Sequence, residues 1–474
     1  MMASKLQNIL SRVQKKTTPS IKERRRILML AEKLRKRVEK AANRAGLDVD
    51  VRVEGSIAKD TWLKEAPDID IFMQVPPNTP REAFGTTYLA IAKKATKGAE
   101  QVERFAEHPY LEAFLDGTRV NIVPCYRVRE GEWKSATDRT PFHTDYVKPL
   151  LNEKRCGETR LLKQFMKGTG VYGAEIKAGG FSGYLCELLV LFYGSFRKVL
   201  KASGNWKPGT FIDLEGYYGG REKERGLIFE EPLVIVDPVD KGRNAAAAVR
   251  RERLDEFIAA SRAFFKNPSV KFFYPQETKP ASSKKLLQAI RNRGTSLVFI
   301  QFGEVKAVPD ILWGQLYRSQ RSLRKLVKQY HFRVIQDSVW SDEKTLNVFL
   351  IEVESRLLPP LITHLGPPLE KRAECEKFLK KHVSSAKTLS GPRLEEGRWV
   401  VEVKRKYTDV VALLTDRLKD RGGRNAGVAR LVSQILAKDF KIMIDEEILS
   451  TYSRSQGFAG FLTEYILGRP KWLT

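Results

Sequence analysis

Apolar and polar positions alternate twice between residues 50 and 73. Val51 and Val53 flank Arg52, and Ile69 and Ile71 interleave with Asp68 and Asp70. A period of two predicts two strands and sets both carboxylates on one face with the isoleucines on the other. Upstream, residues 6–45 have helical periodicity, broken near Thr17, Thr18 and Pro19 and restarted by a capping box of Ser20 with Glu23. Ile27, Leu28, Leu30, Leu34 and Val38 form the stripe expected to pack on a sheet. A helix is predicted over 81–98, then strands over 104–107 and 110–115. Asp116-Gly117 makes a hairpin signal leading into a strand over 118–128.

Residues 154–172 are helical, with Leu161, Leu162, Phe165 and Met166 on one face and Gly168 and Gly170 as stop signals. Residues 174–187 are glycine-rich, then helical. Residues 234–240 read as an apolar strand ending in a turn, with Lys241, Gly242, Arg243 and Asn244 at a helix start. Phe264, Phe265, Phe272, Phe273 and Tyr274 precede a Pro-, Ser- and Lys-rich boundary at 275–285. A helix to residue 293, a strand over 296–302, a helix over 311–330 and strands over 332–337 and 346–353 then give the β-α-β-β order of a ferredoxin-like unit. Arg318, Arg321, Arg324, Lys325 and Lys328 lie along its helix, a spacing that suits either an RNA backbone or a solvated face. The remainder carries a helix over 369–382, a strand over 398–403 and a basic helix over 407–421. Arg417, Arg421, Arg424 and Arg430, with Gly422, Gly423 and Gly427, read as a tail that grips RNA.

The 474 residues allow two to four domains, each with its own core. No run approaches 18 apolar residues and none opens the chain, so neither a membrane span nor a secretory segment is expected, and a cytoplasmic protein follows. Lys and Arg number 84 against 57 Asp and Glu, a net charge of +27. A surface of ion pairs would balance the signs, whereas this excess calls for a long polyanion. Cys125, Cys156, Cys186 and Cys375 form no Cys-x-x-Cys pair and do not cluster with the five histidines, which argues against structural zinc and a disulfide framework.

Chemistry concentrates at two points. Gly55 and Ser56 follow the first strand, where bare backbone N–H groups can face a phosphate. Asp68 and Asp70 share one face of the second, and oxygen donors beside a triphosphate suit Mg²⁺. Two such ions would stabilise an in-line displacement at phosphorus.

In combination, the stretch Glu54-Gly55-Ser56-Ile57-Ala58-Lys59-Asp60-Thr61-Trp62-Leu63 and the Asp68-Ile69-Asp70 strand resemble the signature of the nucleotidyltransferase superfamily that includes DNA polymerase β. The wording is most similar to the archaeal, class I CCA-adding enzymes. That family carries a third carboxylate where Val120-Asn121-Ile122-Val123-Pro124-Cys125 stands here, so Asn121 takes the place of the acid. An amide oxygen can ligate Mg²⁺ but adds no charge and is a poor general base. Residues 135–143 resemble a family loop preceding a helix, which implies nucleotide contact for His143. Lys163 and Tyr172 match positions implied to touch triphosphate and sugar or base, and residues 179–187 match a second-domain signature. The wording Asp237-Pro238-Val239-Asp240 followed by Arg243-Asn244 implies Asp240 and Arg243 at the base pocket. Gly55, Ser56 and Lys59, the last where the family has Arg, would contact the triphosphate.

The resemblance, in order over 20–355, implies an α+β protein. Residues 1–148 would be a polymerase β-like head with a mixed sheet and helices, and 149–262 a helical base-selecting domain. Residues 263–358 would be a ferredoxin-like RNA-binding body, and 359–474 a basic tail for tRNA. The implied activity is addition of C, C and A to the tRNA 3′ end from CTP and ATP, without a nucleic-acid template. Asp68, Asp70 and Asn121 would hold two Mg²⁺ ions. Arg318, Arg321, Lys325, Arg421 and Arg424 would meet the acceptor stem and T-arm, and a homodimer is compatible with this scheme. The competing readings are an ATP-specific enzyme similar to poly(A) polymerases and a tRNA-binding relative with a weakened centre.

Overall fold

The computed structural model describes every residue except Met1, Ala106, Arg221 and Thr474. The chain forms two compact units, one of Met1–Glu277 with Pro470–Thr474 and one of Thr278–Arg469.

The first unit begins with helices α1 (Met2–Thr17) and α2 (Ile21–Arg44). The capping box forms as predicted. Ser20 Oγ accepts from Glu23 N–H at 3.2 Å, and the Glu23 carboxylate accepts from Ser20 N–H at 2.8 Å. Helix α2 buries Ile27, Ala31, Leu34, Val38, Ala41 and Ala42. Leu28, placed in that stripe by the sequence, is exposed instead, because 100° per residue carries it outside the arc its neighbours share.

A five-stranded sheet follows from β1 (Asp50–Glu54), the single turn α3 (Gly55–Ala58), β2 (Asp68–Val75), α4 (Leu89–Ala95), β3 (Glu100–Phe105), β4 (Pro109–Leu115) and β5 (Thr118–Tyr126). The predicted 81–98 helix is shorter, and one wider turn, Phe84–Tyr88, precedes it. The strand order is β1-β2-β5-β4-β3, with only β2 and β5 parallel. Positive φ at Asp116 and Gly117 closes the β4–β5 hairpin, as Asp-Gly predicts. Ile69, Ile71, Val120, Ile122 and Leu111 fill the core with α2 and α4. The register lines up Glu54, Asp70, Asn121 and Glu112 in one row across four strands. Cross-strand partners share a face, so this row lies opposite the core.

Helices α5 (Arg139–Leu150), α6 (Glu153–Thr169), α7 (Gly183–Tyr193) and α8 (Phe196–Ser203) come next. They are followed by β6 (Thr210–Ile212), α9 (Glu222–Ile228), β7 (Leu233–Asp237), β8 (Asp240–Asn244) and α10 (Arg251–Lys266). Their core is aromatic, with Phe165, Phe181, Phe196, Phe257, Phe264 and Phe273 fully buried. The helix start expected at 241–244 is instead β8. Asp237 pairs with Asp240 across a turn of Pro238 and Val239, and the Asn244 side chain bonds Leu233 O and Ile235 N, tying the return strand to β7.

The second unit runs through α11 (Ser283–Arg293), β9 (Ser296–Phe302), α12 (Pro309–Gln329), β10 (Val334–Ser341), β11 (Asn347–Val353), β12 (Leu361–Pro368) and α13 (Arg372–His382). It continues through β13 (Thr388–Glu395), β14 (Arg398–Lys404), α14 (Val410–Lys419), α15 (Arg430–Leu436), β15 (Lys441–Ile444), α16 (Leu449–Arg454) and α17 (Gln456–Leu467). An antiparallel sheet, β10-β11-β9-β15, gives the ferredoxin-like order. Its fourth strand comes from the region the sequence assigned to a separate tail, since four residues are too short for alternation to declare a strand. Strands β12-β14-β13 form a sheet of their own as an insertion. No helix among the described residues is long and apolar enough to cross a membrane.

Candidate active site

A cleft of about 330 Å³ in the first unit is lined by Gly55, Ser56, Lys59, Asp68, Asp70, Asn121, His143, Lys163 and Tyr172 among the sequence candidates. Arg119, Thr140, Gly183, Tyr184 and Glu187 complete the lining.

Its floor is the polar row of the sheet. Asn121 Nδ2 donates to Asp70 Oδ1 at 2.9 Å. Burial pushes the Asp70 carboxyl up to about 6; the Asn121 bond opposes this and the Asp68 charge adds to it. The Arg119 guanidinium forks onto Asp68, Nε donating to Oδ1 at 2.8 Å and Nη2 to Oδ2. Arg119 belongs to no motif in the sequence, although it lies two residues before Asn121 and therefore on the same strand face. Glu54, next in the row, is fully buried, and burial lifts its carboxyl to about 7 despite Arg52 Nε at 2.7 Å. Gly55 holds φ +69°, and a Cβ there would stand 2.1 Å from Asp70 Oδ2. Only glycine lets the turn pass so close to the carboxylate.

The wall is cationic, with two lysines sharing one buried carboxylate. Lys59 Nζ donates to Glu187 Oε2 at 2.6 Å, and Lys163 Nζ to Glu187 Oε1 at 3.2 Å and Thr61 Oγ1 at 3.0 Å. All three charged groups are buried. Burial raises Glu187, yet the two ammonium charges outweigh it and hold the carboxylate below its usual range. Burial pulls Lys163 down, opposed by Glu187. Glu187 is a site residue the sequence named only as part of a signature. Its distance of 128 positions from Lys59 hides the contact. Arg160 of α6 fixes the intervening loop, donating to Trp62 O at 3.0 Å and to the Asp60 carboxylate at 2.6 Å. Gly183 leaves the cleft open, since a Cβ would meet Tyr172 Oη at 3.1 Å and Lys163 Nζ at 3.3 Å.

The far side is organised by Asp237. It accepts from Tyr184 Oη at 3.0 Å and from Arg243 Nη1 at 2.5 Å, and it lies 2.9 Å from His143 Nε2. His143 stacks on Tyr184 with ring centres 4.0 Å apart. Burial lowers His143, opposed by Asp237. Asp237 itself is held at about 2 against burial, chiefly by the His143 bond. His143 sits within α5 rather than in the loop expected before it, because Pro141 occupies the first turn, where no helical N–H bond is required. Neither Asp240 nor Arg243 lines the cleft. Asp240 is paired with Arg139 Nε at 2.7 Å, and among the described residues Arg243 reaches the site through Asp237.

Asp68 and Asp70 offer a hard, oxygen-only donor set on one face, and the charge of the half-buried Asp70 is only partly compensated. These residues fit a divalent cation. No group of three His, Cys, Asp or Glu side chains that could hold a metal gathers among the described residues; beside Asp70 in this cleft stands the Asn121 amide.

In the second unit, Arg318, Arg321 and Lys325 are exposed along α12, and Arg421 and Arg424 are exposed after α14. Lys325 lines a groove of about 390 Å³ with Tyr330 and Arg417. The glycines beside them serve packing, since a Cβ on Gly422 would lie 1.9 Å from Ser433 O.

Residues 31–143 match the family described as nucleotidyltransferase domain, residues 157–274 the tRNA nucleotidyltransferase second domain, and residues 293–445 the CCA-adding enzyme C-terminal domain. A CCA-adding enzyme of Methanosarcina mazei is 38% identical over 457 residues, covering 96% of this chain and 97% of that protein. The namesakes from Methanothermobacter thermautotrophicus and Pyrobaculum islandicum are 37% and 39% identical, covering 88% and 86% of this chain and 90% and 92% of those proteins. Among solved structures, Escherichia coli CdnC with ATP aligns at TM-score 0.42 and 17% identity, over 56% of this chain and 94% of that one.

Proposed function

Because the chain belongs to the family of CCA-adding enzymes, we propose that it adds C, C and A to the 3′ end of tRNA from CTP and ATP. It does so without a nucleic-acid template and releases pyrophosphate. The observation that carries this reading is the meeting, in one cleft, of Asp68 and Asp70 with the ammonium groups of Lys59 and Lys163.

Asp68, Asp70 and the Asn121 amide oxygen are the residues that would hold Mg²⁺. Bound there, two ions would neutralise the triphosphate and favour in-line displacement at the α-phosphorus. Lys59 and Lys163 meet the phosphates as fixed charges, kept in place by Glu187 and Thr61. Gly55 and Ser56 bring backbone N–H groups beside the same phosphates. Tyr184 and His143 offer a stacked surface to sugar or base, with Tyr172 beside it, and Asp237 fixes the Arg243 fork near it. Asp240 acts at one remove, through Arg139. The chemistry rests on positioning and charge neutralisation rather than on a covalent intermediate.

Residues 1–148 act as catalytic head and 149–262 as base-selecting domain, while 263–358 and 359–474 bind tRNA together, since β15 of the latter stretch completes the sheet of the former. Arg318, Arg321, Lys325, Arg421 and Arg424 meet the acceptor stem and T-arm. The enzyme works in the cytoplasm, where a homodimer is compatible with this arrangement.

The deciding experiment incubates the protein with Mg²⁺, CTP, ATP and a tRNA transcript lacking CCA, read at single-nucleotide resolution. Growth by three residues supports the reading, and growth by A alone supports an ATP-specific polymerase. Asn121 favours one second reading, a tRNA-binding relative with a weakened centre. Binding without extension, not rescued by Asn121→Asp, would support it.

A further inference from the structure

We propose that Arg119 is a tethered cation that occupies Asp68 until a divalent ion binds, and that Glu112 is the acceptor to which it then moves. The proposal rests on the reading of Asp68 and Asp70 as metal ligands.

The geometry has three parts. Arg119 takes both oxygens of Asp68, the fork-to-carboxylate arrangement that leaves least room for a competing ion. Glu112 lies opposite Asn121 on β4, in the same cross-strand row, and is almost wholly buried. Its Oε1 accepts from Arg104 Nε at 3.0 Å and Nη2 at 2.7 Å. Its Oε2 accepts no hydrogen bond among the described residues and stands 3.7 Å from Arg119 Nη1. The side chain of Arg119 is 46% exposed, so a swing from Asp68 to Glu112 meets little packing.

Charge gives the exchange its sense. A carboxylate at 121 would add a negative charge beside Asp70, whereas Asn121 leaves two carboxylates, one already spent on a guanidinium. A divalent ion must therefore displace Arg119, and the buried carboxylate of Glu112 lowers the cost by receiving it. The arginine cannot lose its proton instead, since its pKa is raised further, chiefly by the Asp68 bond.

Mn²⁺ titrated calorimetrically into the full chain, without nucleotide or RNA, tests this. Arg119→Gln should tighten Mn²⁺ binding about tenfold, the effect of removing one competing contact charge in a half-exposed site. Arg119→Lys, which keeps the charge and loses the fork, should tighten it about two- to threefold. Glu112→Gln should weaken it. Thermal melts in EDTA report folding of each variant, and Arg119→Lys carries the test should Arg119→Gln not fold. Mn²⁺ binding that Asp70→Asn abolishes but Arg119→Gln and Arg119→Lys leave unchanged would overturn the tethered-cation role while sparing the metal site. No Mn²⁺ binding in the wild type or any variant would overturn the metal reading itself.

Discussion

Asn121 faces Asp70 across the parallel pairing of β2 and β5, and its amide nitrogen, not its oxygen, is turned to the carboxylate at 2.9 Å. The pair is satisfied as it stands, because the amide donates where a third acid would repel. Asn121→Asp should therefore lower stability in EDTA by about 1–3 kcal/mol, through the lost bond and a new like-charge contact. Excess Mg²⁺ should reverse that loss and raise the rate of CCA addition at least tenfold. Thermal melts with and without Mg²⁺, beside single-turnover extension, check both halves. Equal melts in both buffers would mean that position 121 does not face the cation.

Glu187 is the one carboxylate shared by two buried lysines, so its removal leaves both ammonium groups without that counter-charge. Glu187→Gln should cost about 3–5 kcal/mol. A triphosphate brings the missing negative charge, so ATP should raise the melting temperature of this variant more than that of the wild type. A smaller ATP shift in the variant would place the triphosphate away from Lys59 and Lys163.

The sequence foretold the site unevenly, and the reason is range. Period-two alternation was enough to put Asp68 and Asp70 on one face, and Ser20 with Glu23 was enough to start α2. Both rest on neighbours a few residues apart. Glu187 against Lys59 and Asp237 against His143 join positions about a hundred residues apart, and only packing brings them together. Asp240 and Asp237 differ by three residues in a hairpin, and the turn geometry, not the wording, sends one to Arg139 and the other behind the cleft-lining pair Tyr184 and His143. The strand β15 was hidden because four residues carry too little alternation, although it completes the second unit's sheet.

Glu54 makes the protein's stability depend on pH in an unusual direction. Its carboxyl rises from 4.5 to about 7 on folding, so the folded state prefers the proton. The associated stability is fully present below about pH 4.5 and is lost as pH rises through 7, a change of about 3 kcal/mol. Asp70, lifted to about 6, adds to the same slope. In EDTA the melting temperature should fall between pH 5 and 8. Glu54→Gln should remove the larger part of that fall, leaving the share of Asp70. A melting temperature that climbs with pH over this window would show that Glu54 is held ionised.

Gly46 and Gly55 provide a matched pair for the turn that carries the cleft. Both have a left-handed backbone, φ +68° and +69°, so alanine at either pays the same local strain, about 1–2 kcal/mol. They differ in what a Cβ would meet, nothing within 4 Å at Gly46 and Asp70 Oδ2 at 2.1 Å at Gly55. Gly46→Ala should therefore lose a little stability and keep its activity. Gly55→Ala should lose the same increment and, in addition, displace the Asp70 carboxylate, reducing extension of tRNA by at least a hundredfold. Chemical denaturation and single-turnover extension of the two variants side by side separate backbone strain from the clash. Equal activity in both would mean that the approach of Gly55 to Asp70 has no part in the chemistry.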